Sequence, residues 1–323
     1  MSGAPAFAAG IDVGGTKISS ALFTIDGTMF ARDKAALDRG GPDRAAAQVV
    51  RTIAGLEEAA RAEGGRILAA GVCVPGIAYQ KTGLVWAPNV PGWVHYPLRE
   101  KLAGGRDLQI LIESDRAAYV SGESWCGAAR GAKDVVFLAV GTGIGAGILS
   151  GGRVLRGAED ISGAVGWFAL NPDFRPEYAE MGCFEAEASG SGVARRARRL
   201  IESGRASAMV GLARGRIEDV TAETVAAAAR AGDPLALAVM AETASYLAMG
   251  IANIVSILNP EMIVLGGGLF QSGDLLLEPV RRDIGKWAQP LAARGLRVEL
   301  SRLGEDAGLY GCGKLAWDGL KGD

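Results

Sequence analysis

The chain has 323 residues, 49% of them hydrophobic and 22% charged, with 48 glycines. This composition fits a compact α/β protein and excludes a disordered one, and the length allows two lobes. With 34 basic and 36 acidic residues the net charge is −2, which argues against nucleic-acid or membrane partners.

The four cysteines, Cys73, Cys126, Cys183 and Cys312, lie far apart and never form a CxxC pair. They read as reduced thiols in a cytoplasmic protein. The single histidine, His95, leaves no histidine-rich metal site. No apolar stretch reaches the roughly 18 residues of a membrane span; the longest candidate covers 249–258. The segment Met1–Ala9 lacks the basic start of a secretory signal.

Residues 7–30 read as strand, glycine turn, strand, Asp26-Gly27 turn, strand, Asp-Gly between apolar runs being a strong hairpin signal. Asp43 is expected to cap a helix through about Glu63, because Ala46, Val49, Val50, Ile53 and Leu56 recur at helical spacing. A buried strand over 67–74 ends at Pro75-Gly76. Residues 83–93, rich in Pro and Gly, read as irregular, 98–102 as a short helix, 109–112 as a strand and 116–129 as a helix.

The second half repeats this order. Residues 135–149 read as strand, Gly141-Thr-Gly-Ile-Gly145 turn, strand, and Val154-Leu155 continues after Gly151-Gly152. Helices follow at about 187–203, 222–231 and 234–258, the last opening on Asp233-Pro234, an N-cap with Pro at the first helical position. A strand over 262–265, a helix over 276–287, a strand over 296–300 and a helix over 306–317 close the chain. A duplicated α/β lobe with a cleft between the copies is the economical reading. The expected boundaries are 1–117 and 118–305, with a C-terminal helix of about 306–323 packing back on the first lobe.

The candidate chemistry lies in the glycine loops. Asp12-Val-Gly-Gly-Thr-Lys17 is not a Walker A loop, since GxxxxGK[ST] is absent. It is not a dinucleotide fingerprint either, because a strand follows it. Gly14, Gly15, Thr16 and Lys17 of the first loop, Gly141, Thr142 and Gly143 of the second, and Gly266, Gly267 and Gly268 after the strand over 262–265 would let backbone approach a nucleotide closely. Asp115 is the candidate base for phosphoryl transfer; it also suits the N-cap of the helix it opens. Arg195, Arg196, Arg198 and Arg199 read as a solvated helix face.

These pieces together resemble the ROK family of repressors, open reading frames and sugar kinases, within the actin-like ATPase superfamily. The matching segments are Gly10-Ile-Asp-Val-Gly-Gly-Thr-Lys17, Gly71-Val-Cys-Val-Pro-Gly76, Ala87-Pro-Asn89 with Pro91-Gly-Trp93, Asp115 with Gly122-Glu123, Gly141 to Gly147, Arg156-Gly157, Gly182-Cys183-x-Glu185, Ile263 to Gly268 and Asp306 to Gly311. The phosphate motif begins at residue 10, which leaves no room for an N-terminal helix-turn-helix and favours the kinase branch.

The resemblance implies a duplicated two-lobe actin-like (ribonuclease H-like) fold with a central cleft. It also implies ATP between the two glycine loops, Mg²⁺ near Asp12, Asp115 as general base, and a homodimer. Gly76, Asn89, Ser114, Asp115, Gly163, Trp167 and Glu185 would then face the sugar.

The chain departs from the pattern at three places. Ser114 stands where typical members have Asn. Gly163-Ala-Val-Gly-Trp167 replaces Gly-Glu-x-Gly-His. Of the three zinc-binding cysteines only Cys183 remains. One cysteine cannot hold tetrahedral zinc, so no structural zinc is expected and residues 170–181 must be held by packing. The altered recognition set points to a modified or amino sugar, a sugar acid or a cyclitol, with Trp167 either stacking on the substrate or filling the space that zinc leaves. A non-catalytic sugar or nucleotide sensor, or a kinase using polyphosphate, are the competing readings.

Overall fold

The computed structural model describes residues 4–105 and 107–320; Met1–Gly3 and the last three residues of the expected terminal helix lie outside the described residues. The chain forms two units. Unit 1 comprises Met1–Lys133, Gly147–Ser162 and Ser301–Asp323, and unit 2 comprises Asp134–Ala146 and Gly163–Leu300.

The first unit opens with the meander β1 (Ala6–Val13), β2 (Lys17–Phe23) and β3 (Met29–Ala36), followed by α1 (Pro42–Ala62) and β4 (Arg66–Val74). Three short strands, β5 (Ile77–Ala78), β6 (Val85–Trp86) and β7 (Val94–Tyr96), precede α2 (Leu98–Ala103), β8 (Gln109–Ser114) and α3 (Asp115–Cys126). Then come β9 (Val135–Val140), β10 (Ile144–Ser150) and β11 (Arg153–Val154). The helices α4 (Tyr178–Met181), α5 (Cys183–Ala188), α6 (Gly190–Glu202), α7 (Met209–Leu212), α8 (Ala222–Arg230) and α9 (Pro234–Leu258) follow. The chain closes with β12 (Met262–Gly266), α10 (Gly273–Ile284), α11 (Pro290–Ala293), β13 (Arg297–Leu300) and α12 (Ala307–Gly319).

Among the described residues, one five-stranded sheet runs β3-β2-β1-β4-β8 and the other β11-β10-β9-β12-β13. The two orders are the same: a meander whose first strand pairs in parallel with one later strand, which in turn pairs in parallel with the next. The duplication read from the sequence is therefore present in the strand order itself.

Strand β4 is apolar almost throughout because both faces are covered, as in parallel sheets generally. Ala70, Val72 and Val74 enter the core that holds Ile11, Val49, Ile53 and Trp93. Ala69 faces Ala316 and Trp317, and Cys73 faces Cys312 and Leu315, all on α12. Gly10 and Gly71 are partners across β1 and β4. A Cβ on Gly10 would lie 2.8 Å from Leu309 O and one on Gly71 2.0 Å from Cys312 O, so α12 rests directly on bare strand backbone.

In unit 2 the central element is α9. Asp233 caps it, accepting from Ala236 N at 2.8 Å, and Asn259, with φ 44°, ends it before Pro260. This helix corrects the apolar reading of the sequence. The run is not confined to 249–258; the 25-residue helix is long and apolar enough to span a membrane by length and composition, with mean hydropathy 1.6 over an 18-residue stretch. Most of that stretch is buried, 61%, so within unit 2 it serves as the core helix, packed by α5, α6, α8 and α10.

Other expectations shift. The cap of α1 is Gly41, with Pro42 first in the helix. Asp43 instead accepts from Tyr96 Oη at 2.8 Å and pairs with Lys101. Residues 83–93 are not wholly irregular, since β6 forms the middle of a small sheet with β5 and β7. The helix expected at 187–203 is two helices broken at Ser189, the N-cap of α6. The arginine cluster is not a solvated face. Arg196 is buried, Arg198 donates twice to Val220 O and Arg195 to Ala186 O, which leaves Arg199 as its exposed member.

Candidate active site

In unit 1, Asp12 lies near the end of β1, opposite Cys73 on β4. The Cys73 thiol donates to Asp12 Oδ1 at 3.1 Å. Burial raises the pKa of Asp12, opposed by that hydrogen bond and by the charge of Lys17. The loop is closed by Gly14 N donating to Lys17 O at 2.8 Å, so this amide serves the turn. Gly15 packs on Asn89, whose Cβ would be 3.0 Å from an added Cβ. Arg39, which sequence reasoning missed, donates to Gly15 O at 2.7 Å. Thr16 O accepts from Leu37 N at 2.9 Å. Lys17 pairs with Glu305 at 3.0 Å, a carboxylate it shares with Lys34.

Asp115 is the first residue of α3. Ser114, not Asp115, caps the helix, its hydroxyl accepting from Ala117 N. The Asp115 carboxylate is thereby spared from capping. It accepts from its neighbour Arg116 N at 2.8 Å through Oδ1 and from Tyr119 Oη at 3.4 Å through Oδ2. Burial pushes its pKa up to about 6; the Arg116 charge lowers it and the Asp12 charge raises it again.

Gly308, early in α12, explains part of the terminal motif. A Cβ there would lie 2.8 Å from Asp12 Oδ2 and 3.0 Å from Tyr119 Cε1. Gly311 likewise faces Ala118 O, and Gly122 faces Ala307 O. These glycines hold α3, α12 and β1 in close approach, which sets the two aspartates in one partly buried region. Gly76 has a steric reason too, since a Cβ would meet Trp86 O at 2.0 Å. Sequence reasoning also missed Glu113, buried beside Ser114 and paired with Arg156 at 2.7 Å.

In unit 2, the second glycine loop and the start of α6 are joined. Gly141 O accepts from Gly190 N at 2.8 Å and Thr142 O from Ser191 Oγ at 2.8 Å. Gly141, Thr142, Gly190, Ser191 and Gly268 line a cavity of about 470 Å³, with Glu223 and Arg230 of α8 on its wall. Gly266 and Gly267 do not line it. Gly266 packs on the Phe137 ring, and Gly267, with φ 92°, fits against Val140 O. The rest of the polar lining comes from helices far apart in sequence, which is why motif reading found only Gly141, Thr142 and Gly268.

The sugar-side candidates of unit 2 gather at the start of β10. Glu185 Oε2 accepts from Ile144 N at 2.7 Å and would lie 2.6 Å from a Cβ on Gly143. Burial raises the pKa of Glu185, against the Ile144 hydrogen bond. Gly163, with φ 86°, accepts from Ala146 N at 2.8 Å and has no room for a side chain over Ala146 O. Trp167, in the turn 165–167, is 59% exposed, so its indole does not fill an interior void. Among the described residues no cluster of three or more His, Cys, Asp or Glu side chains forms a metal cage.

A profile of the ROK family matches residues 8–318. The chain belongs to the ROK family. It is 33% identical over 313 residues to the glucokinase of Halalkalibacterium halodurans, covering 95% of this chain and 93% of that protein. Among solved structures, the ROK hexokinase from Thermus thermophilus matches with a TM-score of 0.82 at 29% identity, over 98% of this chain and all of that one. A ROK family glucokinase from Streptomyces griseus, solved in complex with glucose and AMPPNP, matches with a TM-score of 0.77 at 29% identity, over 97% of this chain and 99% of that one. The fold of this ROK chain is the mixed α/β fold of the actin-like ATPases.

Proposed function

We propose that this ROK sugar kinase transfers the γ-phosphoryl group of ATP to a hydroxyl of a sugar or sugar-like acceptor, with Asp115 as the general base. The observation that carries the assignment is the state of Asp115: a carboxylate released from capping by Ser114, with its pKa raised to about 6 by burial. A base with a pKa near the working pH is the most effective kind.

The nucleotide assignment rests on the cavity of unit 2, whose volume of about 470 Å³ is of the size small ligands use. Gly141, Thr142 and Gly268 on its wall would receive the adenosine end, with Gly266 and Gly267 shaping the strand end behind it. Gly14, Gly15, Thr16 and Lys17 of unit 1 would face the phosphates, and the loop must exchange the Lys17–Glu305 pair for them. Mg²⁺ suits this chain, since it is commonly held by one or two carboxylates plus substrate phosphates and Asp12 offers one partly buried carboxylate. It would supply charge neutralisation on the phosphates. Asp115 takes the proton of the acceptor hydroxyl as that oxygen forms its bond to the γ-phosphorus and ADP leaves. Such transfer depends on positioning and electrostatics more than on covalent help.

For the acceptor, Asn89, Ser114, Gly76, Gly163, Glu185 and Trp167 form the proposed recognition set. With alanine and tryptophan at 164 and 167, an exposed indole stands at this edge of unit 2 in place of hydrogen-bonding groups. We assign a modified or amino sugar, a sugar acid or a cyclitol over an unmodified hexose. A homodimer belongs to the same proposal.

The test is ADP release with ATP and Mg²⁺ across glucose, other hexoses, amino sugars, sugar acids and cyclitols, each beside Asp115→Asn. Turnover lost in the variant supports the reading and names the acceptor. Glucose as the best acceptor would retain the kinase and overturn the atypical substrate. ATP binding with no turnover would favour the sensor, and turnover with polyphosphate alone would replace the donor.

A further inference from the structure

Unit 2 contains a buried charge cluster that the proposed reaction does not use. Glu187, on α5, is 3% exposed. Its Oε1 accepts from Arg175 Nη1 at 2.8 Å and from the Tyr178 hydroxyl, and its Oε2 accepts from Arg196 Nη2 at 2.7 Å. Arg196 also donates to Glu187 O at 2.7 Å and to Thr243 Oγ1 at 3.1 Å. It lies under the Tyr246 ring at 5.4 Å and 3.2 Å from Glu242 Oε1. Asn171 Nδ2 donates to the Tyr178 hydroxyl at 3.2 Å, and Arg175 sits over the Tyr178 ring at 5.8 Å. Two arginines and two glutamates balance in charge. Desolvation would raise the pKa of Glu187, but the Tyr178 hydrogen bond and the Arg196 pair outweigh it and hold it below the usual glutamate value. The cluster ties residues 171–178, α5, α6 and α9 together.

The same short helix carries the recognition residues. Helix α5 has six residues, too few to be stable or to fix its own orientation. Glu185 reaches from it to Ile144 N. Gly182, which precedes it with φ 85°, approaches so closely that a Cβ would be 2.7 Å from Trp167 Cα, and Phe184 N donates to Phe168 O at 3.1 Å. What grips Glu187 therefore sets where Glu185 and the Trp167 turn stand.

We infer that Glu187, with Arg175, Arg196 and Tyr178, forms a polar lock that positions Glu185 and Trp167 for the acceptor, Glu187 being a positioning residue. The inference rests on the proposed sugar-side role of those two residues. It also replaces the expectation that ordinary packing alone holds residues 170–181.

Arg175 is the partner to remove, because its side chain is 33% exposed and Glu187 keeps Arg196 and Tyr178 without it. The full chain is compared with Arg175→Met and Arg175→Lys by hydrogen exchange and by kinetics. In Arg175→Met, amides over 163–188 are expected to exchange about 10-fold faster while those of β12 are unchanged. The KM for the acceptor rises about 5- to 20-fold while the KM for ATP stays within about twofold. Arg175→Lys restores most of both. Unchanged exchange over 163–188 overturns the lock. Faster exchange with an unchanged acceptor KM overturns the positioning role and reduces the cluster to a stabilising one. The exchange readout needs no substrate, so a wild-type chain silent on every sugar would count against the proposed function and leave the lock to be decided separately.

Discussion

At the scale of the residue, the proposed base Asp115 carries a cost in stability. Its pKa in the folded chain, about 6 against 3.8 for an unperturbed aspartate, means the folded state holds its proton more tightly than the unfolded one. Stability from this group is therefore greatest at low pH and declines as pH rises from about 4 through 6. Asp115→Asn removes that cost, and urea unfolding at pH 7.5 is expected to gain about 1–3 kcal/mol, with a smaller gain at pH 5. Turnover in the same variant falls about 10²- to 10⁴-fold. In the wild type, kcat against pH should lose activity below about pH 6 as the base protonates; a flat profile down to pH 5 would remove Asp115 from that role. Trp167→Ala is the contrasting case. Its indole is 59% exposed, so its loss should leave the unfolding midpoint within about 0.5 kcal/mol of wild type, and any rise in acceptor KM reports contact. Asp115 stood out in the sequence because it opens a helix inside a recognisable pattern. Arg39 and Glu113 were not, because one acts by reaching a loop backbone and the other by meeting Arg156 from a segment more than 40 residues away, and neither leaves a periodic trace.

At the scale of the element, glycines of the segments that match the family pattern divide into two kinds. Gly141 and Gly268 face the cavity beside Thr142, whereas Gly266, Gly308 and Gly311 have another chain segment lying against them. Gly250 belongs to the second kind, as a Cβ there would be 2.3 Å from the Phe184 ring. Gly250→Ala should therefore destabilise by about 1–3 kcal/mol through overpacking, although alanine has the better helix propensity; a stabilised variant in urea unfolding would show that α9 and α5 can part. Caps and apolar periodicity made the long elements readable: 234–258 was found whole from Asp233-Pro234 and Pro260. Short elements were not. Strands β5 to β7 have two or three residues each, too few for a period, and the break at Ser189 depends on that hydroxyl accepting from Gly192 N, a local bond that helical spacing does not reveal.

At the scale of the whole molecule, the repeated strand order was readable because each copy announces itself with strand, glycine turn, strand. How the chain distributes over its two units was less so, since that depends on long-range packing. Unit 1 is assembled from three stretches, the last beginning at Ser301. Removing 301–323 would strip α12 from the bare backbone of β1 and β4 at Gly10 and Gly71 and take away the Trp317 indole that donates to Phe23 O. Such a truncation is expected to lose the cooperative unfolding of unit 1, read as early exchange throughout β1 and β4, while β12 keeps its protection. The interrupted layout also has a temporal side. On the ribosome, residues 1–133 emerge first, but the segment that seals their sheet follows the whole of unit 2. At about 5–20 residues per second, the nascent first unit waits roughly 10–40 s with one apolar sheet face uncovered. The unit begun first is thus completed last, and its exposed face is a place for a chaperone to act during synthesis.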